Sequence, residues 1–338
     1  MIKECIAKLV EKKDLSKDEC REAFDEIMQS KASEAQIASL ITALRMKGET
    51  IEEIIGAAES MKAVVAKVEP KTEDYLLDVV GTGGDKKSTF NVSTCSAIVA
   101  SAAGCLVAKH GNKSVSSNSG AADVLSELGV NIELDNETNT KLIEKIGIAF
   151  MFAPKHHPAM KYAIGPRKEI GIRTIFNILG PITNPAHAQT FLLGVYSKEL
   201  AEKLANVLAG LGIKKALVVH GFRGEDELSI SGPSYVFEAE NEKVKGYTIS
   251  PEEVGLKEYP EEEIKAEDRK ESARNIKEIF DGKEQGAKRE IILLNAGAAI
   301  YANGKAQSIK EGIKIARKAI DSGKAKEKLE QLVKESNA

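Results

Sequence analysis

The chain has 338 residues, a length that suggests about two domains at roughly 150 residues each. Its 48 basic and 51 acidic side chains leave a formal net charge of -3, so no bulk positive field exists to hold a nucleic-acid backbone. The longest apolar runs, such as residues 291–294, fall far short of the roughly 20 residues that cross a bilayer.

The start, MIKECIAKLVEKK, is charged throughout and lacks the apolar core of a signal peptide. Cys5, Cys20, Cys95 and Cys105 show neither CxxC spacing nor the density of a disulfide scaffold, which fits buried small hydrophobes in a reducing compartment. Together these features predict a cytoplasmic protein with neither a membrane nor a nucleic acid as partner.

The first 66 residues read as helices. Three hydroxyl residues are each followed three positions on by Glu or Gln: Ser16 with Glu19, Ser33 with Gln36, and Thr50 with Glu53. That is the capping-box pattern, and apolar residues such as Ile37, Leu40, Ile41 and Leu44 follow at helical spacing. A polar stretch, 67–74, leads out of this block. From Tyr75 the pattern changes: YLLDVV, CLVAKHG, IAFMFA, FLLGVY and KALVVHG alternate with helical segments. Such alternation predicts strand-helix-strand units and a mainly parallel sheet flanked by helices. Residues 155–185 break the alternation with helical pattern and are expected to return to the first block. The reading is therefore a small helical domain, 1–66 joined by about 155–185, and a larger α/β domain made of 74–154 and 186–338. Within the latter, 228–249 reads as an edge hairpin signalled by Gly232-Pro233, and the last 60 residues as a Lys-rich helical cover exposed to solvent.

Chemistry concentrates after the strands. At 78–104 an apolar run ends in Gly81, Gly83 and Gly84, and a helix of small residues follows. Glycines let a backbone approach a ligand and turn its N–H groups inward, and a helix N-terminus adds positive dipole. Thr89, Asn91, Ser93 and Thr94 add neutral donors. The spacing matches neither GxGxxG nor the P-loop, so no dinucleotide or NTPase site is implied. The next strand leads into Lys109, His110, Asn112, Lys113, Ser116, Ser117 and Gly120, a second gathering of cations, amides and hydroxyls. Two such loops on one sheet edge suit a ligand with two separated phosphate groups.

Residues 225–227 place three carboxylates together at a strand end, an arrangement a cation would relieve. Mg²⁺ uses one or two carboxylates with waters and substrate phosphates, so a diphosphate nearby completes the logic. Arg167 and Arg173 lie in GPRKEIGIRTIFNILGPITNP, where a guanidinium beside a cleft could pair with an organic acid.

The GTGGD at 81–85, NVST at 91–94, KHGNKSVSS at 109–117, GIRTIFNILGPITNP, and the pair Asp226-Glu227 resemble the anthranilate phosphoribosyltransferase family, in family order over essentially the whole chain. The resemblance implies a homodimeric enzyme that joins anthranilate to 5-phosphoribosyl 1-diphosphate (PRPP) and releases diphosphate, with two Mg²⁺ ions per subunit. It assigns PRPP contacts to Gly81, Gly84, Asp85, Thr89, Asn91, Val92, Ser93 and Thr94, to Lys109, His110, Gly111, Asn112, Lys113, Ser114, Val115, Ser116 and Ser117, and to Ala121. Anthranilate would meet Gly81, Asn112 and Arg167, leaving Arg173 a structural role. Ser93, Asp226 and Glu227 would face metal.

Ala121, Arg223, Glu225 and Gly165-Pro166 depart from the family's usual residues, the first at the cost of a hydroxyl. An aromatic amine is neutral and already nucleophilic, so electrostatics and positioning should dominate, with no covalent intermediate. A pyrimidine nucleoside phosphorylase-like enzyme and a non-catalytic nucleic-acid-binding relative of the same fold are the alternatives.

Overall fold

The computed structural model describes residues 1–84, 87, 89–113 and 120–338. Of the site residues expected from sequence, Asp85, Ser114, Val115, Ser116 and Ser117 lie outside the described residues.

Four helices open the chain: α1 (Ile2–Val10), α2 (Lys17–Met28), α3 (Glu34–Lys47) and α4 (Ile51–Ala63). Each of the three expected capping boxes closes: the side chains of Ser16, Ser33 and Thr50 accept from the backbone N–H of Glu19, Gln36 and Glu53, and their own backbone N–H groups donate to those residues' side chains. Two orphan donors are satisfied at each start, worth about 1 kcal/mol per cap. Phe24, Ile27, Leu40, Ile41, Leu44 and Ile54 are fully buried between these helices.

The strands and helices then alternate. In chain order they are β1 (Leu76–Gly81), α5 (Val92–Ala102), β2 (Leu106–Gly111), α6 (Ala121–Glu127), α7 (Asn136–Ile146) and β3 (Ile148–Phe152). The crossing segment carries α8 (Ala153–His156), α9 (Lys161–Ile170) and α10 (Phe176–Ile182). It is followed by β4 (Thr190–Gly194), α11 (Lys198–Gly210), β5 (Lys215–Gly221), β6 (Ser234–Glu240) and β7 (Lys243–Ile249). The chain ends in α12 (Arg269–Phe280), α13 (Ala287–Ala302), α14 (Ile309–Asp321) and α15 (Lys324–Ser336). α9 packs on α2 and α3, α10 touches α4, and the Phe24 and Phe176 rings meet at 5.5 Å.

Among the described residues seven strands form one sheet, ordered β3-β2-β1-β4-β5-β6-β7. The first five pair in parallel and the last two antiparallel. The chain steps outward from β1 to β3 and then returns to the other side of β1 as β4. This reversal creates a crevice outside the carboxyl ends of β1 and β4, where open α/β sheets bind ligands.

Two expectations are corrected. The expected edge hairpin forms as β6 and β7, but its turn lies at Asn241 and Glu242, whose φ values of 50° and 63° give the left-handed pair that a two-residue hairpin needs. Gly232-Pro233 instead leads into β6. The C-terminal helices are also more than a solvated cover, because α13 is buried almost throughout. Its Gly297 lets α14 approach until a Cβ would stand 2.6 Å from the Ile313 nitrogen. All four cysteines are buried and unpaired, and no helix among the described residues is long and apolar enough to cross a membrane.

Candidate active site

At the switch point Gly81 of β1 pairs with Gly194 of β4. Both glycines are needed for close approach. A Cβ on Gly81 would lie 2.5 Å from Asp226 Oδ2, and one on Gly194 would lie 1.5 Å from the Asp226 carbonyl oxygen. The acidic loop thus rests directly on two strand ends. The Thr82 N–H donates to Gly194 O at 2.9 Å, and the Gly83 N–H donates to Asp226 Oδ2 at 2.7 Å. Gly83 and Gly84 take φ values of 66° and 83°, so conformation demands glycine there.

The loop rejoins the fold at Phe90, whose N–H donates to Ile264 O at 3.1 Å, while Thr89 bridges to Lys265. Asn91 then caps α5 by accepting the Thr94 N–H at 2.9 Å, and the Ser272 hydroxyl receives the Asn91 N–H at 2.8 Å. This cap places Ser93 and the buried Val92 and Thr94 at a helix N-terminus under the crevice. The buried hydroxyls of Thr82 and Thr94 have no hydrogen-bond partner among the described residues.

Lys109 is buried beneath this loop. Its Nζ donates to Val79 O at 2.5 Å and to Ser93 Oγ at 3.3 Å. Burial pulls its ammonium down to about 8, opposed by the Asp78 charge. Burial likewise pushes the Asp78 carboxyl up to about 6, opposed by Lys109 and by bonds from Asn184 and the His110 backbone. Asn184 Nδ2 bonds Asp78 Oδ2 at 2.7 Å and Ala108 O at 2.8 Å, and the His110 N–H donates to Asp78 Oδ1 at 3.1 Å. The Asn-Pro end of the crossing segment therefore locks β1 to β2. Sequence reasoning missed this network.

His110 is buried, with its ring 5.0 Å from that of His157. Neither Nε2 has a partner among the described residues. Burial holds both imidazoles neutral, His157 at about 4 and His110 well below its ordinary value. They can offer hydrogen bonds but not charge at neutral pH. The adjacent His156-His157 pair was the available signal for the second ring.

Gly111, Asn112 and Lys113 continue from β2, and Lys113 Nζ stands 5.6 Å from the centre of the Phe152 ring. The Asn112 carbonyl accepts from Ala122, just after Ala121 begins α6. In the crossing segment, half-buried Arg167 lies over the Phe176 ring at 5.2 Å, and burial lowers its guanidinium from the usual arginine value. No carboxylate pairs with it among the described residues. Arg173 instead donates from Nη2 to Gly84 O at 2.7 Å.

The three carboxylates separate in function. Glu225 is fully buried and braces its own loop, accepting from Ser229 Oγ at 2.8 Å and the Arg223 N–H at 3.0 Å. Its departure from the family pattern thus leaves a structural carboxylate. Asn295 of α13 holds the loop's far end through both polar groups of Leu228. Asp226, Glu227 and Ser93 line one small cavity together with Asn295. Two carboxylates and a hydroxyl are hard oxygen donors of the kind Mg²⁺ takes, so the residues present fit that ion.

The glycine loop, buried Lys109 and the acidic pair meet at one switch point of the sheet, in a chain that also carries a helical unit. Residues 3–64 match the family model described as glycosyl transferase family, helical bundle domain. Residues 73–326 match glycosyl transferase family, a/b domain. An anthranilate phosphoribosyltransferase from Acetivibrio thermocellus is 52% identical over 338 residues, covering 100% of this chain and 97% of that protein. The crystal structure of the Thermus thermophilus enzyme of that name superposes with a TM-score of 0.93 at 40% identity, covering 99% of both chains. The Saccharomyces cerevisiae enzyme in complex with PRPP and Mg gives 0.89 at 32% identity, covering 99% of this chain and 98% of that one. A second yeast complex, holding 4-fluoroanthranilate, also gives 0.89, at 30% identity with 99% and 97% covered. The chain belongs to the anthranilate phosphoribosyltransferase family.

Proposed function

We infer that this chain transfers the phosphoribosyl group of PRPP to the amine of anthranilate, giving N-(5-phosphoribosyl)anthranilate and diphosphate in tryptophan biosynthesis. The observation that carries the site assignment is the half-buried Arg167 guanidinium without a carboxylate partner among the described residues, in a segment that also meets the glycine loop through Arg173. An organic acid would supply the missing charge and a bidentate partner.

In this reading Gly81, Gly84, Asp85, Thr89, Asn91, Val92, Ser93 and Thr94 hold PRPP from one side. The loop from Lys109 through His110, Gly111, Asn112 and Lys113 to Ser117, with Ala121, holds it from the other. Loop amides and the α5 N-terminus point partial positive charge at the phosphates. Lys109 adds its charge from below through Ser93. Gly81, Asn112 and Arg167 receive anthranilate, and Arg167 fixes its carboxylate so that the neutral amine faces the ribose. Ser93, Asp226 and Glu227 hold Mg²⁺, two ions per subunit. When bound, the metal supplies charge stabilisation for the departing diphosphate.

The helical domain comprises 1–66 with 155–185, and the α/β domain comprises 74–154 and 186–338. Val10, Met46 and Ile164 stand 71%, 81% and 56% exposed on α1, α3 and α9, helices that pack side by side. They suit contact with a second copy in a cytoplasmic homodimer. The test of function follows loss of anthranilate fluorescence. Loss with PRPP and Mg²⁺ together, and with neither alone, is the expected result. No loss with all components present overturns the reading.

A further inference from the structure

Arg173 has no part in the assignments above, yet it spans the crevice. It leaves the crossing segment two residues after Gly171, whose left-handed backbone ends α9. Its guanidinium then stacks over Tyr196, just past β4, with 4.5 Å between the carbon centre and the ring centroid. From that platform Nη2 donates to the Gly84 carbonyl at 2.7 Å. The fit is close: a Cβ on Gly84 would stand 1.4 Å from Nη2 and 2.4 Å from the guanidinium carbon. The φ of 83° calls for glycine at position 84, and a methyl there would also push this guanidinium aside.

A loop that binds an anion has a specific electrostatic requirement. Its N–H groups must face the ligand while its carbonyls, which carry negative charge, must be directed elsewhere or neutralised. A cation holding the Gly84 carbonyl meets that requirement. It also joins the loop to the segment that carries Arg167 six positions earlier. We propose that Arg173 is a positioning residue for diphosphate binding: its stacked guanidinium holds the Gly84 carbonyl in the left-handed turn and keeps the glycine loop in register with the crossing segment. This rests on the reading that the glycine loop receives the diphosphate end of PRPP.

The experiment uses the full-length chain with Arg173→Ala, Arg173→Lys and Gly84→Ala, and Gly84→Ala combined with Arg173→Ala. Calorimetry with Mg²⁺-diphosphate reads the loop directly, steady-state kinetics read each KM, and thermal melting reads the fold. Arg173→Ala should weaken diphosphate binding and raise the PRPP KM on the order of tenfold, with anthranilate KM changed less than about threefold. Arg173→Lys should recover part of this loss, because an ammonium can bond the carbonyl but does not stack as a plane. Gly84→Ala should cost less in the Arg173→Ala background than alone, because the collision is gone.

Unchanged diphosphate affinity in Arg173→Ala overturns the proposal, as does a fall in melting temperature without a change in PRPP KM. A rise in anthranilate KM alone also overturns it, placing Arg173 on the acceptor. Additive effects of the two alanine changes would overturn the clasp. If the unaltered chain binds diphosphate but makes no product, the functional reading fails while the Arg173 comparison still decides the proposal.

Discussion

Asp226 and Gly83, 143 residues apart, are hydrogen-bonded: Asp226 Oδ2 accepts the Gly83 N–H at 2.7 Å. The acidic loop and the glycine loop, which sequence reasoning treated as separate motifs, are thereby one structure across the ends of β1 and β4. A carboxylate lying against a loop amide marks where negative charge is welcome, and it couples the proposed metal ligand to the proposed phosphate loop.

Removing that carboxylate pair should therefore affect metal dependence first. Asp226→Asn combined with Glu227→Gln is expected to lower kcat/KM at least about a hundredfold, equivalent to ~2.7 kcal/mol. The folded structure should persist by circular dichroism. Unchanged turnover at limiting Mg²⁺ would remove these residues from the metal site.

The glycines should separate by mechanism. Gly83→Ala meets no atom within 4 Å but must hold φ at 66°, a strain of roughly 1–2 kcal/mol that should appear mainly in PRPP KM. Gly81→Ala drives a methyl to 2.5 Å from Asp226 Oδ2 and should instead raise the Mg²⁺ concentration needed for half-maximal rate. Titrating PRPP and Mg²⁺ independently distinguishes the two. Identical profiles would contradict this assignment.

Arg167→Ala should raise anthranilate KM about tenfold to a hundredfold, the consequence of losing ~1.5–3 kcal/mol from a hydrogen bond to a charged group. PRPP KM should move far less, since the guanidinium rests on Phe176 rather than on the proposed phosphate loops. An unchanged anthranilate KM would show that the carboxylate binds elsewhere.

Stability should fall with acid through His157. Its ordinary value of 6.5 drops to about 4 in the folded protein because burial disfavours the charged ring, with neighbouring His156 acting in the same direction. A depressed pKa means that the unfolded chain binds the proton first. The contribution is thus complete above pH 6.5 and is lost as pH falls toward 4, on the order of 3 kcal/mol in all. His110 has the same sign. Melting curves from pH 7 to 4.5 should show a shallower pH slope for His157→Gln than for the unaltered chain. Equal slopes would rule out the buried neutral ring as a source.

Asn184→Ala should destabilise the fold by about 1–3 kcal/mol for each group left unsatisfied, here Asp78 Oδ2 and Ala108 O. Urea unfolding measures it, and a change below 0.5 kcal/mol would show that the network relaxes freely.

The features legible in the chain were those whose causes are local. A capping box joins residues three apart, so Ser16 with Glu19, Ser33 with Gln36 and Thr50 with Glu53 could be read directly. The short apolar runs from Leu76 to Gly221 likewise became strands buried on both faces, because a parallel sheet covered by helices requires continuous apolar sequence. The order of those strands and the burial of α13 depended on packing partners that no local window contains. So did the long-range bonds of the site: Asp78 with Asn184, Gly83 with Asp226 and Gly84 with Arg173. In each, a polar group finds a complement brought near by the sheet's reversal between β1 and β4. Residue type makes such a bond possible, but only the tertiary arrangement selects which of many possible complements lies within 3 Å.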